Sequence, residues 1–453
     1  MFKRRDQRLA QYQKIRDCLE GEDQVKDQGT LYLKKPDAMT SQNYEAYKER
    51  AQFYGAAEST LRALVGLALR KDPVIKLPPR LESLRHSATN DRAPLSVMIE
   101  QMVREVMAMG RFGLMLDFPR EGASALTPPH FVTWRAESID DFKVAYIDGQ
   151  LELTQVILAS DEDLDGDQIF LDLCLEDGIY RIRRYIEQGA NKARVDIEDE
   201  IVPLVKGNPL NFIPFIFISD KNLNPNDEKP PLLDLCNLNL GHYRNSADRE
   251  HAMFLTATPT PWIAGNVPID KVPTCIGSGT VWNLPEGTQV GMLEFQGPSM
   301  TAFKELMGEK LDQMASLGAR MLSASMNRNE TTATATQRSR SELSLLQSVV
   351  VMVEAALTRL LRLASEWTGE RPDDVSVTFS RDFIEVTMDP AGMVAQMKLW
   401  QSGAISRQTL YENLQQGEIA RADRSYLDEK EMIEEEGGDL SPIIPILKML
   451  PAA

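Results

Sequence analysis

One segment constrains this chain more than any other: a run without a single Gly or Pro from about Arg338 to Trp367. Leu343, Leu346, Val350, Val353, Leu357, Leu360 and Ala364 follow one another at alternating steps of three and four. That spacing places them on one stripe of an α-helix. Leu345, Val349, Met352, Ala356 and Leu363 form a second stripe beside it. At ~1.5 Å per residue such a helix is roughly 45 Å long. With two apolar stripes it is expected to be covered on two sides. A rod of this kind needs a substantial shell. The chain, with 453 residues of which 43% are hydrophobic, is large enough to supply one. By length alone, two to three domains are the prior expectation.

Other helices are announced by the same spacing. Leu61, Leu64, Val65 and Leu69 define one that Lys71-Asp72-Pro73 ends, because Pro cannot continue the hydrogen-bond ladder. A second runs from about Leu95 to Met109 and leads through Gly110-Arg111-Phe112-Gly113 into a short strand, Leu114 to Leu116. From Phe131 to Ile218 the period becomes two. Phe142–Tyr146, Leu151–Leu158, Ile169–Leu175 and Ile179–Tyr185 are bounded by Asp, Gly and Asn and predict an antiparallel meander. Helical spacing returns from Leu233 to Phe254 and stops at Thr258-Pro259-Thr260-Pro261-Trp262. Short strands are expected at Thr280-Val281-Trp282 and at Gln289 to Leu293. Ser299 is the expected N-cap of a further helix carrying Phe303, Met307, Leu311, Met314, Leu317 and Met321 in phase. After the long helix come a strand, Val375 to Phe379, and short helices at Gly392–Leu399, Ser406–Gln415 and Ser425–Glu436. An apolar, Pro-broken tail, Leu440 to Ala453, follows, and no internal repeat is present. The fold class expected is α+β.

Charge narrows the function classes. The formal net charge is −17. That argues against gripping nucleic acid, which needs clustered Lys and Arg to neutralise phosphates, but not against letting nucleic acid slide past. No apolar run approaches the ~20 residues of a membrane span, so no membrane association is expected. No signal peptide is expected either. Cys18, Cys174, Cys236 and Cys275 are far apart and form no CxxC. Reduced thiols in a cytosolic compartment are the simple reading.

Catalytic signatures are missing from the sequence. It contains no GxxxxGK[ST], GxGxxG, GxSxG or HExxH. Among its four histidines, His242 and His251 are nine apart and do not share a helix face. Asp161, Asp163, Asp165, Gly166 and Asp172 occupy positions 1, 3, 5, 6 and 12 of a calcium loop. Position 12 is Asp rather than the longer Glu, and the flanks predict strands where an EF-hand needs helices. A hairpin turn is therefore favoured over a metal site. Met307, Met314 and Met321 suit core filling, and their seven-residue spacing also suits packing against a second copy. Trp262 and Trp282, in a Pro/Gly-rich segment, are candidates for an interface. The segment Ser323 to Gln337 is rich in Thr and Ala and is expected to be a loop. By composition it is an ordinary polar loop. Its position between two apolar-striped helices fixes its ends and makes it the candidate functional centre. Its small hydroxyl and methyl groups would slide along a polymer rather than hold it.

This order of elements resembles the portal proteins of tailed bacteriophages. The resemblance rests on Tyr44 to Phe53, Thr60 to Leu67, Arg70-Lys71-Asp72-Pro73 and Ile405 to Tyr411, and above all on the order of elements along nearly the whole chain. It implies a ring of about twelve subunits at one capsid vertex. Double-stranded DNA would enter and leave through it without sequence reading. Residues 1–230 would be a wing. Residues 231–322 would be paired stem helices with a clip at about 262–298, and 323–337 a tunnel loop. Residues 338–390 would be the long helix with a strand returning to the wing, and 391–453 a helical crown and tail. The resemblance assigns Asn327, Arg328, Asn329, Thr331, Thr332, Thr334, Thr336 and Arg338 to face DNA. It assigns Trp262, Lys271 and Trp282 to bind partners: the terminase, then adaptor or tail proteins. Capsid and scaffold proteins would be further neighbours. The location would be the virion, with assembly in the host cytoplasm. No catalysis, cofactor or metal is expected. The alternative is a calcium-binding regulatory protein built on Asp161 to Asp172. A hydrolase is a third reading, with only scattered carboxylates behind it.

Overall fold

The computed structural model describes residues 2–118, 129–147, 149–162, 166–188, 193–205, 207–225, 228–256, 260–269, 272–273, 275, 280–293, 298–319, 332–381, 390–416, 419–421 and 424–435. The chain divides into two compact units, Met1–Arg381 and Asp382–Ala453.

The first unit opens with α1 (Phe2–Glu20), α2 (Glu22–Asp27), α3 (Ser41–Arg50) and α4 (Ala56–Ala68). Strand β1 (Val74–Lys76) and α5 (Leu95–Met109) follow. Helix α5 is the centre of the core, burying Leu95, Met98, Ile99, Met102, Val103 and Val106. It ends where the sequence predicts, at Gly110 with φ +68°. That left-handed cap favours glycine, and a Cβ there would lie 2.8 Å from Pro231 Cδ. The chain then enters β2 (Phe112–Asp117), the middle strand of a sheet ordered β11-β2-β3, where β3 is His130–Arg135 and β11 Phe215–Ile218.

One ion triad ties α1 to this core. Arg16 donates to both oxygens of Glu105 at 2.7 and 2.6 Å and, through Nε, to Glu137 at 2.8 Å. Glu105 is buried on α5. Burial alone would lower the Arg16 guanidinium's pKa; the two carboxylates outweigh that and raise it.

The second sheet is the predicted meander. Strands β4 (Ile139–Ile147), β5 (Gln150–Glu162), β6 (Gln168–Glu176), β7 (Ile179–Gln188) and β8 (Ala193–Asp196) lie in chain order, each antiparallel to the next. One small antiparallel pair, β9 (Leu204–Val205) with β10 (Asn208–Pro209), completes the region. All pairings between the described strands are antiparallel, so the fold is α+β.

Beyond β11 come α6 (Leu233–Thr256), β12 (Thr260–Ala264), β13 (Gln289–Leu293), α7 (Pro298–Met314) and the long α8 (Thr332–Thr368). Helix α8 buries Leu346, Val349, Val350, Val353, Leu357, Leu360, Leu361 and Ala364. These form one broad face. Leu345, Met352 and Leu363 are only half-buried, and Ala355, Arg359, Arg362 and Glu366 are exposed. Over residues 345–368, where burial is described, the second stripe is thus the shoulder of a single face rather than a second buried side. Strand β14 (Ser376–Thr378) returns to pair antiparallel with β1.

The second unit holds α9 (Pro390–Gln401), α10 (Arg407–Gln416) and α11 (Tyr426–Glu435). Ser406 caps α10 by accepting from Thr409 N at 3.0 Å. Ser425 and Asp428 exchange backbone-to-side-chain bonds in a capping box at the head of α11. The tail from Leu440 lies outside the described residues.

Candidate functional site: the helix–hairpin–helix segment

Helix α6 is anchored by a polar seam against the segment joining α3 and α4. Asn239 is fully buried. Its amide donates to Tyr54 O at 2.8 Å and accepts from Ala57 N at 3.3 Å, so it holds the turn before α4 and caps that helix from outside. Ser246 Oγ accepts from Gln52 N at 3.1 Å. Tyr47 donates to Asp248 at 2.6 Å. Burial and that carboxylate raise the Tyr47 phenol's pKa. Arg50 meets His251 at 3.3 Å and lies 4.1 Å over the Phe254 ring.

Helices α6 and α7 pack together, and one cation joins them. Lys310 Nζ on α7 donates to Gly241 O on α6 at 2.9 Å. The buried His242 is next in the chain, with its ring 6.1 Å from that of Tyr54. Burial, then Lys310, then Arg249 lower the pKa of the His242 imidazole below its ordinary value. Burial and Arg244 likewise lower that of Lys310.

From Met253 to Leu255 the α6 side chains lose most of their cover. Met253, Phe254 and Leu255 are all exposed, Phe254 by 57%. Strands β12 and β13 follow as an antiparallel pair with Trp262 opposite Gly291. The Trp262 ring occupies the space above that glycine: a Cβ on Gly291 would lie 2.7 Å from it. Trp262 is still 42% exposed. Between the strands, Trp282 donates from its indole to Cys275 O at 3.0 Å. No strand forms at Thr280-Val281-Trp282, contrary to the sequence expectation; the indole bond to a loop carbonyl stands where a ladder was expected. Ile269 is 94% exposed and Val281 91%. On α7, Met307 and Met314 are buried, while Leu306 and Leu311 are exposed, as is Leu317 in the turn that follows.

Helix α7 ends in a turn of π-helix, Ala315–Ala319, broken at Gly318 with φ +138°. Of the expected tunnel-loop residues, Asn327, Arg328, Asn329 and Thr331 lie outside the described residues, as does Lys271 of the expected clip. Thr332, Thr334, Thr336 and Arg338 belong to α8, which starts at Thr332 rather than near Arg338. The loop reading is therefore corrected from Thr332 onward. Ala alternates with Thr there, and no Gly or Pro intervenes. Extending an existing helix needs no new nucleus, and each Thr costs only about 0.5–0.7 kcal/mol relative to Ala.

Residues 231–368 match a family model, the domain of unknown function DUF4055. The match covers less than half of the chain. It begins just before α6 and ends on the last residue of α8, so it frames the helix–hairpin–helix segment together with the long helix. No curated protein matches the chain.

The calcium alternative loses its keystone. Asp172 is on β6, 1% exposed, and accepts from Arg194 at 2.6 Å and from Gln155 at 2.7 Å. A carboxylate neutralised by a guanidinium is not held ready for a cation. Asp161 is in β5, and Asp163 and Asp165 lie outside the described residues. The strands on either side, paired at Glu162 and Gln168, make the hairpin that the sequence favours. Among the described residues no group of three or more His, Cys, Asp or Glu could hold a metal ion. No described helix is long and apolar enough to cross a membrane.

Proposed function

We propose that the chain is a portal-type structural subunit which assembles into a ring and acts as a conduit for double-stranded DNA. The observation that carries this reading is the exposed apolar surface of the helix–hairpin–helix segment. Phe254, Trp262, Ile269, Val281, Val290 and Met292 all face solvent in a single copy. A soluble monomer rarely leaves so much apolar surface on one segment, whereas an assembling one covers it. The order stem helix, hairpin, stem helix, long helix and returning strand supports the portal reading specifically. On it, α6 and α7 are the stem, residues 262–298 the clip and residues 391–453 the crown. The terminase, adaptor or tail proteins would dock on the clip, with capsid and scaffold proteins as further neighbours in the virion. Multiplied around a ring, the net charge of −17 favours a lumen that repels DNA over one that binds it. The function is geometric and assigns no catalytic residue.

Mass photometry and negative-stain images of the purified chain test this. Closed rings of about twelve copies are the expected outcome. A particle that stays monomeric across salt, pH and protein concentration would overturn the reading.

A further inference from the structure

Two cysteines that the sequence keeps far apart meet in the fold. Cys18 is in the last turns of α1 and Cys236 in the first turn of α6, both fully buried. The two helices pack together. One turn before Cys18, Lys14 Nζ donates to Asn237 Oδ1 at 3.0 Å and fixes the register of the pair. On the other side, Tyr32 donates to Asp17 at 2.5 Å and holds α1 down. The two thiols are close enough to act on each other: Cys18, then burial, raises the pKa of Cys236 well above its ordinary value. A disulfide between them requires an S–S distance of about 2.05 Å with Cβ atoms about 3.8 Å apart.

We propose that Cys18 and Cys236 form a reversible intramolecular disulfide that staples α1 to α6 when a small two-electron oxidant reaches them. Two S–H bonds break and one S–S bond forms. Both protons and both electrons pass to the oxidant, an azo compound going to its hydrazine or a small disulfide going to two thiols. The pair is slow to react. Cys18 and burial hold the Cys236 thiol well above its ordinary range, so little of the nucleophilic thiolate exists at neutral pH. Oxidation therefore waits on loosening of α1. Two thiols acting merely as small hydrophobes is the competing account, and it predicts no linkage. The staple would constrain the unfolded chain over a very long loop and raise the resistance to unfolding. It would also fix α1 to the helix that carries the exposed apolar segment. The staple does not depend on the ring reading, since a single copy forms it equally well.

The test is a non-reducing peptide map of the full-length protein after exposure to diamide, run at several urea concentrations below the unfolding transition so that access is not limiting. The expected result is a Cys18 peptide joined to a Cys236 peptide with the loss of two hydrogens. The urea midpoint should rise, and dithiothreitol should reverse both effects. Cys275→Ser should keep the linkage; Cys18→Ser and Cys236→Ser should each lose it. Two thiols that still alkylate separately after prolonged oxidation, or cross-links made only between chains through the exposed Cys275, would overturn the proposal. The wild-type map decides the matter even if a variant fails to fold.

Discussion

At the scale of single residues, α6 is held by groups whose protonation matters. His242 is buried, and the charged groups acting on it are Lys310 from α7 and Arg249 from α6, with the Tyr54 ring beside it. Its folded-state pKa lies below the ordinary 6.5. The ring is then neutral when folded, and in the unfolded chain it takes up a proton first. Its contribution to stability is complete above about pH 6.5 and is lost as pH falls toward the folded value, because the unfolded state binds more protons there. His251 acts in the same direction, its pKa lowered by burial and by Arg50. Urea midpoints should therefore fall as pH drops from about 7 to about 5. His242→Gln should flatten that slope while keeping a polar group at the site. An unchanged slope in the variant would place the sensitivity elsewhere.

At the scale of elements, the start of α8 is the sharpest divergence between sequence and fold, and it is directly measurable. In a helix beginning at Thr332 the first four amides have no intrahelical acceptor, whereas those of Thr336 and Gln337 do. Hydrogen exchange resolved by residue should show Thr336 and Gln337 protected relative to a free chain. Ala333→Gly with Ala335→Gly should cost roughly 2 kcal/mol of local helix stability and speed that exchange. Random-coil exchange at both amides in the wild type would restore the loop. The elements legible beforehand were those with a clean period. Helix α5 was read from Leu95 to Met109 because its apolar face is continuous and Gly110 can stop it. The meander was read because alternation and Asp-Gly turns coincide. Helix α1 was missed because Tyr12, Ile15 and Cys18 are spread through a run of Arg, Asp and Gln. What holds α1 includes the Arg16 triad and the Lys14–Asn237 and Tyr32–Asp17 bonds, long-range contacts that no local pattern encodes. The α6 anchor is likewise a set of hydrogen bonds from Asn239, Ser246 and Asp248, residues that looked like an ordinary polar face. Even the nearness of Cys18 to Cys236 is invisible until α1 lies on α6.

At the scale of the molecule, the question is what covers the apolar side chains between α6 and α7. Ile269 and Val281 are almost completely exposed and add nothing to the stability of a single copy. Replacing either with a charged residue should leave the folded monomer untouched, since surface changes away from packed groups usually stay within about 0.5 kcal/mol. In an assembly that buries these side chains the same change places an unpaired charge at an apolar contact, which is strongly unfavourable. Ile269→Glu with Val281→Glu should therefore keep the wild-type urea midpoint measured on monomer while shifting the mass distribution from rings toward single copies. The opposite substitution, Glu286→Gln on the exposed surface of the same hairpin, serves as the control and should leave rings intact. Rings that persist in the double variant would mean that the copies meet elsewhere, with the hairpin left open for a different partner. Loss of rings with an unchanged monomer would put the contact between copies on this hairpin. The exposed Leu306 and Leu311 of α7 and Leu317 just beyond it would then be the next residues to test along the same contact.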